Sequence, residues 1–291
     1  MGVHTMPTLT DLNTVRDILS RHGFSFSKAL GQNFLINPSV CPRMAQMCHP
    51  DIEGDFAVLE IGPGIGVLTK ELAQVAKRVI SIELDTRLLP ILQETLSEYP
   101  NVTVINGDAM KLDLAAILKQ HADGLPIVVC ANLPYYITSP LLMRLLESRL
   151  PIEAVTVLVQ KEAAVRLCAQ PATRECGAVT LAVRYFAEPE ILFSVSRGSF
   201  LPAPKVDSSV IRLRLRKDPP ADIADEALFF RLVHAAFGQR RKTLPNSLAA
   251  AGYTKDQIIR ALQTAELSPT ARAEELTLTQ YAALTNAFMT K

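Results

Sequence analysis

The stretch FAVLEIGPGIGVLTKELAQV, residues 56–75, decides the fold. It opens with an apolar run, bends through Gly62, Gly64 and Gly66, and continues with apolar residues at helical spacing. The glycines let the backbone turn tightly and approach a ligand with no Cβ in the way. A glycine-rich strand-to-helix turn at the carboxyl edge of a parallel sheet is where a nucleotide-like ligand sits. The third glycine of the dinucleotide pattern G-x-G-x-x-G is missing, because position 67 is Val. That spacing disfavours a nicotinamide oxidoreductase. A purely structural Gly/Pro turn is the alternative for the loop taken alone.

Outward from this loop, short apolar runs alternate with amphipathic helical patterns. RVISIE (78–83), VTVIN (102–106), PIVVCAN (126–132) and AVTVLVQ (154–160) are expected as strands covered on both faces, because they are rich in Val and Ile and do not alternate. Helical spacing fills the segments between them. EILFSVS (190–196) and SSVIRLRLR (208–216) are further strand candidates, the second with Arg212, Arg214 and Arg216 on one face. After KDPPADIAD (217–225) only helical patterns remain. The fold class is therefore α/β, a doubly wound and mostly parallel sheet. The expected domains are residues 1–216, with a helical extension over about 11–50, and a smaller all-α domain over 217–291.

The chain has 291 residues, 48% apolar and 20% charged, a globular composition. No apolar run approaches the roughly 18–20 residues that span a membrane, and the first residues lack signal-peptide character. A soluble, cytoplasmic protein without a membrane partner is expected. Five cysteines with no C-x-x-C pair argue for free thiols and against a metal site. Nothing in the sequence calls for an obligate dimer, so a monomer is expected. Residues 1–150 carry 12 basic and 15 acidic side chains, residues 151–291 carry 18 and 14. Basic residues cluster between Arg197 and Lys217, which includes Lys205, and between Arg231 and Lys242.

Candidate site residues stand at successive strand ends. Glu83 closes the second strand, where a carboxylate can accept from ribose hydroxyls. Asp108 follows the third and can accept from an adenine amine. Each alone is an ordinary polar strand end; together they describe an adenosine pocket. Asn132-Leu133-Pro134-Tyr135 follows the fourth strand. An aromatic amine is a poor nucleophile, since its lone pair is delocalised into the ring. The Asn132 side-chain carbonyl, with the backbone carbonyl of Leu133 or Pro134, can accept its hydrogens and favour a pyramidal nitrogen. Tyr135 would stack on the target base, and Phe200 is the candidate for a second platform. A turn ending a strand is the alternative for the tetrapeptide, and a core aromatic is the alternative for Phe200. Gln32-Asn33-Phe34-Leu35 reads as a connecting loop or a lid.

QNFL (32–35), EIGPGIGVLT (60–69), GDA (107–109), NLPY (132–135), QKE (160–162), FLPAPKVDSSV (200–210) and FxxRRKTLxNxL (237–248) together closely resemble the small-subunit ribosomal RNA adenine dimethyltransferase family, in order, from about residue 12 to the end. The resemblance implies a Rossmann-like class I methyltransferase sheet and S-adenosylmethionine as methyl donor. It implies a donor pocket of Asn33, Leu35, Gly62, Glu83, Asp108 and Asn132, with Glu60 and Ile61 beside them. It also implies dimethylation of two adjacent adenosines in a hairpin near the 3′ end of small-subunit rRNA, in a partly assembled subunit, with the helical domain contacting the ribosomal substrate. Arg240, Arg241, Lys242 and Lys205 are the candidates for RNA contact; a solvated charge run is the alternative. The competing readings are a large-subunit rRNA methyltransferase and an assembly factor that binds RNA without methylating it.

Overall fold

In the computed structural model, residues 8–27, 30–50, 52–239 and 241–290 are described. Before the sheet come α1 (Leu12–Arg21), the two-residue β1 (Phe34–Leu35) and α2 (Val40–Met47). The alternating part holds β2 (Ala57–Ile61), α3 (Val67–Val75), β3 (Arg78–Glu83), α4 (Leu89–Thr95), β4 (Val102–Asn106), α5 (Leu114–His121), β5 (Ile127–Asn132), α6 (Thr138–Glu147) and β6 (Ile152–Gln160). Then come α7 (Lys161–Cys168), α8 (Ala178–Phe186), β7 (Ala187–Val195), β8 (Phe200–Leu201) and β9 (Ser208–Leu215). The chain ends with α9 (Glu226–Phe237), α10 (Leu244–Ala250), α11 (Lys255–Thr264) and α12 (Leu278–Met289).

The main sheet runs β4-β3-β2-β5-β6-β9-β7. Pairs from β4 through β6 are parallel and β6–β9 is antiparallel. All five residues of β2 are buried, as are the first five of β5. That explains their unbroken apolar sequence: strands covered on both faces gain from Val and Ile at every position. Helix starts are set by side chains that accept orphan N–H groups. Asp113 accepts Ala116 N–H at 3.0 Å for α5, and Asp225 accepts Leu228 N–H at 2.8 Å for α9. Two further helices begin with capping boxes, Thr254 with Gln257 and Thr277 with Gln280.

A second, two-stranded ribbon pairs Phe34 with Leu201 and Leu35 with Phe200. Both partners come from segments whose sequence carries no strand pattern, and two-residue strands are too short to show one.

By its internal contacts the chain forms two compact units, Met1–Ala164 with Glu190–Leu215, and Val165–Pro189 with Arg216–Lys291. This differs from the expected cut near 217, which left residues 165–189 in the first domain. The reason lies on α8. Its Tyr185 stacks edge-on against Phe230 at 5.3 Å, and Phe186 lies parallel to Phe230 at 5.5 Å. Tyr185 also donates to Glu226 at 2.7 Å. The second unit is otherwise helical, with Tyr281 fully buried and donating to the Ala273 carbonyl at 3.0 Å.

The basic strand β9 is internally matched. Arg212 pairs with Glu190 at 2.7 Å and donates to the Met47 carbonyl at 2.9 Å, and Arg214 lies 3.4 Å from the same Glu190. Arg216 pairs with Glu188 at 2.8 Å. The clustering of these arginines in sequence therefore reflects ion pairing with β7. Among the described residues no helix is long and apolar enough to cross a membrane.

Candidate active site

Strand ends β2 to β5 converge on a cavity of about 240 Å³ in the first unit. The loop after β2, Glu83 at the end of β3, Asp108 after β4 and residues 132–137 after β5 all line it. So do residues 30–35, from the segment that leads into the ribbon.

Gly62 has φ +73°, a backbone conformation that favours glycine, and a Cβ there would meet no protein atom within 4 Å and would stand in the cavity that Gly62 lines. Gly64 has φ +62°, and a Cβ there would lie 3.1 Å from the Phe34 ring. Phe34 itself packs against Phe26 at 5.1 Å, which lays the upstream segment on the loop.

Glu83 is 6% exposed. Its Oε2 accepts the Gly64 N–H at 3.3 Å and its Oε1 accepts the Asp85 N–H at 2.8 Å. Burial pushes its carboxyl above the usual range, against the pull of those two N–H groups. Each carboxylate oxygen has a second lone pair left for a ligand hydroxyl. Asp108 accepts the Met110 N–H at 2.9 Å through Oδ1, with Lys111 3.5 Å from Oδ2.

Asn132 is oriented from across the cavity: its Nδ2 donates to the Asn33 carbonyl at 3.2 Å. Among the described residues no donor reaches its Oδ1. The neighbouring carbonyls differ. That of Pro134 already accepts Ile137 N–H at 3.1 Å and Thr138 Oγ1 at 3.3 Å. No such bond engages the Leu133 carbonyl among the described residues. Of the two alternatives left by the sequence, Leu133 is the one with a free acceptor. Tyr135 is held by a 2.7 Å hydrogen bond between its hydroxyl and that of Ser208, the first residue of β9.

Asn33, Leu35, Gly62, Glu83, Asp108, Asn132, Leu133, Pro134 and Tyr135 thus come together, with Ile61 among them. Phe200 does not. It is 3% exposed in the hydrophobic core, does not line the cavity, and is paired to Leu35 in the ribbon. Its apolar ring is better satisfied there than at a solvent-facing platform. Glu60 also stays out of the cavity. Fully buried, its Oε2 accepts the hydroxyls of Thr69 and Ser81, each at 2.7 Å, and Oε1 has no partner. Burial pushes its carboxyl up to about 7. Lys205, Arg241 and Lys242 are exposed and are not among the residues that line the cavity, and Arg240 falls outside the described residues.

One contributor, Tyr136, and the partnerships of two residues within quoted motifs, Gln32 and Ser208, escape a reading of the sequence. Tyr136, 55% exposed, lines the cavity beside Tyr135, signalled only by the doubled tyrosine. Gln32 donates to Asp85 at 2.8 Å and accepts the Ser27 N–H at 2.9 Å, fastening the upstream segment to the end of β3. Ser208 lies inside a quoted motif, yet its partnership with Tyr135 spans 73 residues.

The model of the ribosomal RNA adenine dimethylase family matches residues 23–289. The chain is 47% identical to ribosomal RNA small subunit methyltransferase A of Geobacillus thermodenitrificans, covering 94% of each chain. It is 45% identical to the protein of the same name from Bacillus mycoides, covering 98% of each. Among solved structures, a dimethyladenosine transferase from Plasmodium falciparum superposes with a TM-score of 0.70 at 25% identity, over 88% of this chain and 97% of that one. The 23S rRNA methyltransferase ErmE does so with 0.67 at 30%, over 88% and 99%. With a glycine loop, two strand-end carboxylates and an oriented asparagine in one cavity, and likeness along nearly its whole length, this chain belongs to the ribosomal RNA adenine dimethylase family.

Proposed function

We propose that the protein transfers methyl groups from S-adenosylmethionine to the N6 amines of two adjacent adenosines in a hairpin near the 3′ end of small-subunit rRNA. The observation that carries the chemistry is Asn132, whose amide is turned by the Asn33 carbonyl so that its Oδ1 is left as an open acceptor. The cavity suits an adenosine-bearing donor: Gly62 leaves room at the loop, and Glu83 and Asp108 keep acceptor capacity at adjacent strand ends. Glu83 would hold the ribose hydroxyls, Asp108 the adenine amine, and Gly62, Asn33 and Leu35 the remainder. When bound, the donor supplies an electrophilic methyl group on a sulfonium.

The chain's own part is to make the target amine nucleophilic. In the first transfer Asn132 Oδ1 and the Leu133 carbonyl accept its two hydrogens and draw its lone pair out of the ring; in the second a single hydrogen is left for one of the two acceptors, and each transfer releases one amine proton to solvent. Fixed acceptors of this kind act where charge develops, with about 3–4 kcal/mol at stake for each. Tyr135, fixed by Ser208, offers a stacking face that returns about 1–3 kcal/mol of the cost of extruding a base. Arg241, Lys242, Arg240 and Lys205 are read as contacts to RNA phosphates in a partly assembled subunit. The protein acts as a monomer in the cytoplasm, with the sheet-bearing first unit as the methyltransferase part and the helical second unit, residues 165–189 with 216–291, as the ribosome-contacting part.

A large-subunit target is disfavoured, because the relatives at 45–47% identity carry the small-subunit name, whereas ErmE stands at 30%. The intact acceptor pair argues against a binding factor without catalysis. Tritiated methyl transfer to small- and large-subunit particles tests the proposal. Label in N6,N6-dimethyladenosine of small-subunit rRNA is expected; label only in large-subunit rRNA, or none, overturns it.

A further inference from the structure

A second pocket, of about 130 Å³, lies between residues 37–43 and 193–199 of the first unit. Its lining includes a guanidinium, Arg43, the amide of Asn37 and the hydroxyls of Ser39, Ser194, Ser196 and Ser199, and no carboxylate. Arg43 is held in place by its stack on the Phe193 ring, 3.9 Å from the centroid. Among the described residues no acid pairs with it, unlike Arg212, Arg214 and Arg216. Asn37 is rigid: Nδ2 donates to Ser199 Oγ at 3.1 Å while Oδ1 accepts from Ser39, N–H at 3.0 Å and Oγ at 2.9 Å. The hydroxyls of Ser194 and Ser196 have no side-chain hydrogen bond among the described residues.

We propose that this pocket binds a phosphodiester group of the RNA substrate. The inference rests on the RNA methyltransferase reading above. Arg43, exposed but stacked on Phe193, stands beside the hydroxyls of Ser194, Ser196 and Ser199, while that of Ser39 is spent on Asn37; such a set suits a tetrahedral oxyanion, which accepts several hydrogen bonds at once. Position favours substrate over a stray anion. Ser199 directly precedes Phe200, its carbonyl accepts the Ile36 N–H at 2.9 Å, and Phe200 pairs with Leu35, which lines the active cavity. Residues that line the two pockets are thus joined through the ribbon, Ser199 to Ile36 and Phe200 to Leu35, so a phosphate held here bears on the segment that carries Leu35.

The test measures binding of the full chain to unmethylated small subunits across a salt series, for wild type, Arg43→Ala, Arg43→Lys and Ser196→Asp. Arg43→Ala is expected to weaken binding about tenfold and to lower the slope of log K against log salt by about 0.7–0.9, the share of one phosphate contact. Arg43→Lys keeps the slope and recovers part of the affinity. Ser196→Asp, at an exposed position, weakens binding by putting a carboxylate beside the phosphate. Donor affinity by calorimetry is unchanged in all three, which reports an intact first unit. Wild-type slope and affinity in both Arg43→Ala and Ser196→Asp would overturn the phosphate site while leaving the methyltransferase reading in place. A wild type that binds subunits but does not methylate them would overturn the reading of function, and the slopes would still decide the pocket. A wild type that binds no subunit overturns both.

Discussion

Glu60→Gln isolates a carboxyl on β2 that is completely buried. In the unfolded chain this group titrates near 4.5, and in the folded protein burial raises it to about 7. At about 1.4 kcal/mol per pH unit, that gap corresponds to about 3 kcal/mol. A raised carboxyl pKa means the native state holds a proton that the unfolded state releases, so stability falls as pH rises from 4.5 to 7 and levels off above. Glutamine mimics the protonated form: its carbonyl still accepts from Thr69 and Ser81, and its amide takes the place of the unpartnered Oε1. The two proteins should therefore unfold alike near pH 4.5. The variant should become the more stable by about 3 kcal/mol at pH 8, with most of the change between pH 5 and 7. Glu71 and Glu83, also raised by burial, titrate in both proteins and largely cancel. Urea unfolding followed by circular dichroism at pH 4.5, 5.5, 6.5, 7.5 and 8 measures the difference. An offset between the two proteins that does not change with pH would refute the reasoning.

Three other perturbations separate binding from chemistry. Asn132→Ala should lower kcat by about 10²–10³, with donor affinity changed less than tenfold; tritium transfer and calorimetry read the two, and near-normal turnover would remove the acceptor scheme. Tyr135→Phe loses the bond to Ser208 but keeps the ring, so about 1 kcal/mol of stability goes while turnover stays within a few-fold; Tyr135→Ala, which loses the stacking face, should drop kcat/KM roughly 10–100-fold. Arg241→Glu with Lys242→Glu should weaken subunit binding and reduce its salt slope by about 1.5 or more, as two phosphate contacts would; equal slopes by filter binding would make the pair a solvated surface.

The parts of the fold legible from sequence were those with enough length to repeat a pattern. The doubly covered strands β2, β3, β5 and β6 announced themselves through unbroken Val and Ile runs, whereas β4, with the same kind of run, is the half-buried edge of the sheet and not covered on both faces as expected; the site followed because a parallel sheet brings consecutive strand ends to one edge. Glu83, Asp108 and Asn132 needed only their strand-end positions to be found. Pairings distant in sequence were not legible. Phe200 is drawn into the core by Leu35, 165 positions upstream, and nothing local to FLPAPK says so. Arg212 is matched by Glu190 on another strand, so a basic run in sequence is no basic surface in space. Residues 165–189 join the helical unit because of rings on α9, which lie some 40 residues downstream.

The hydrogen bond from Asn132 to the Asn33 carbonyl has a kinetic meaning for an enzyme that must refill repeatedly while working on the same target. The segment carrying Asn33 borders the donor cavity and is latched to Asp85 by Gln32. If that segment lifts when spent donor leaves, the asparagine amide loses its acceptor and is free to rotate. Turnover would then alternate between an open phase, in which the acceptor is misaimed, and a seated phase, in which it is armed, so exchange and transfer exclude one another by construction.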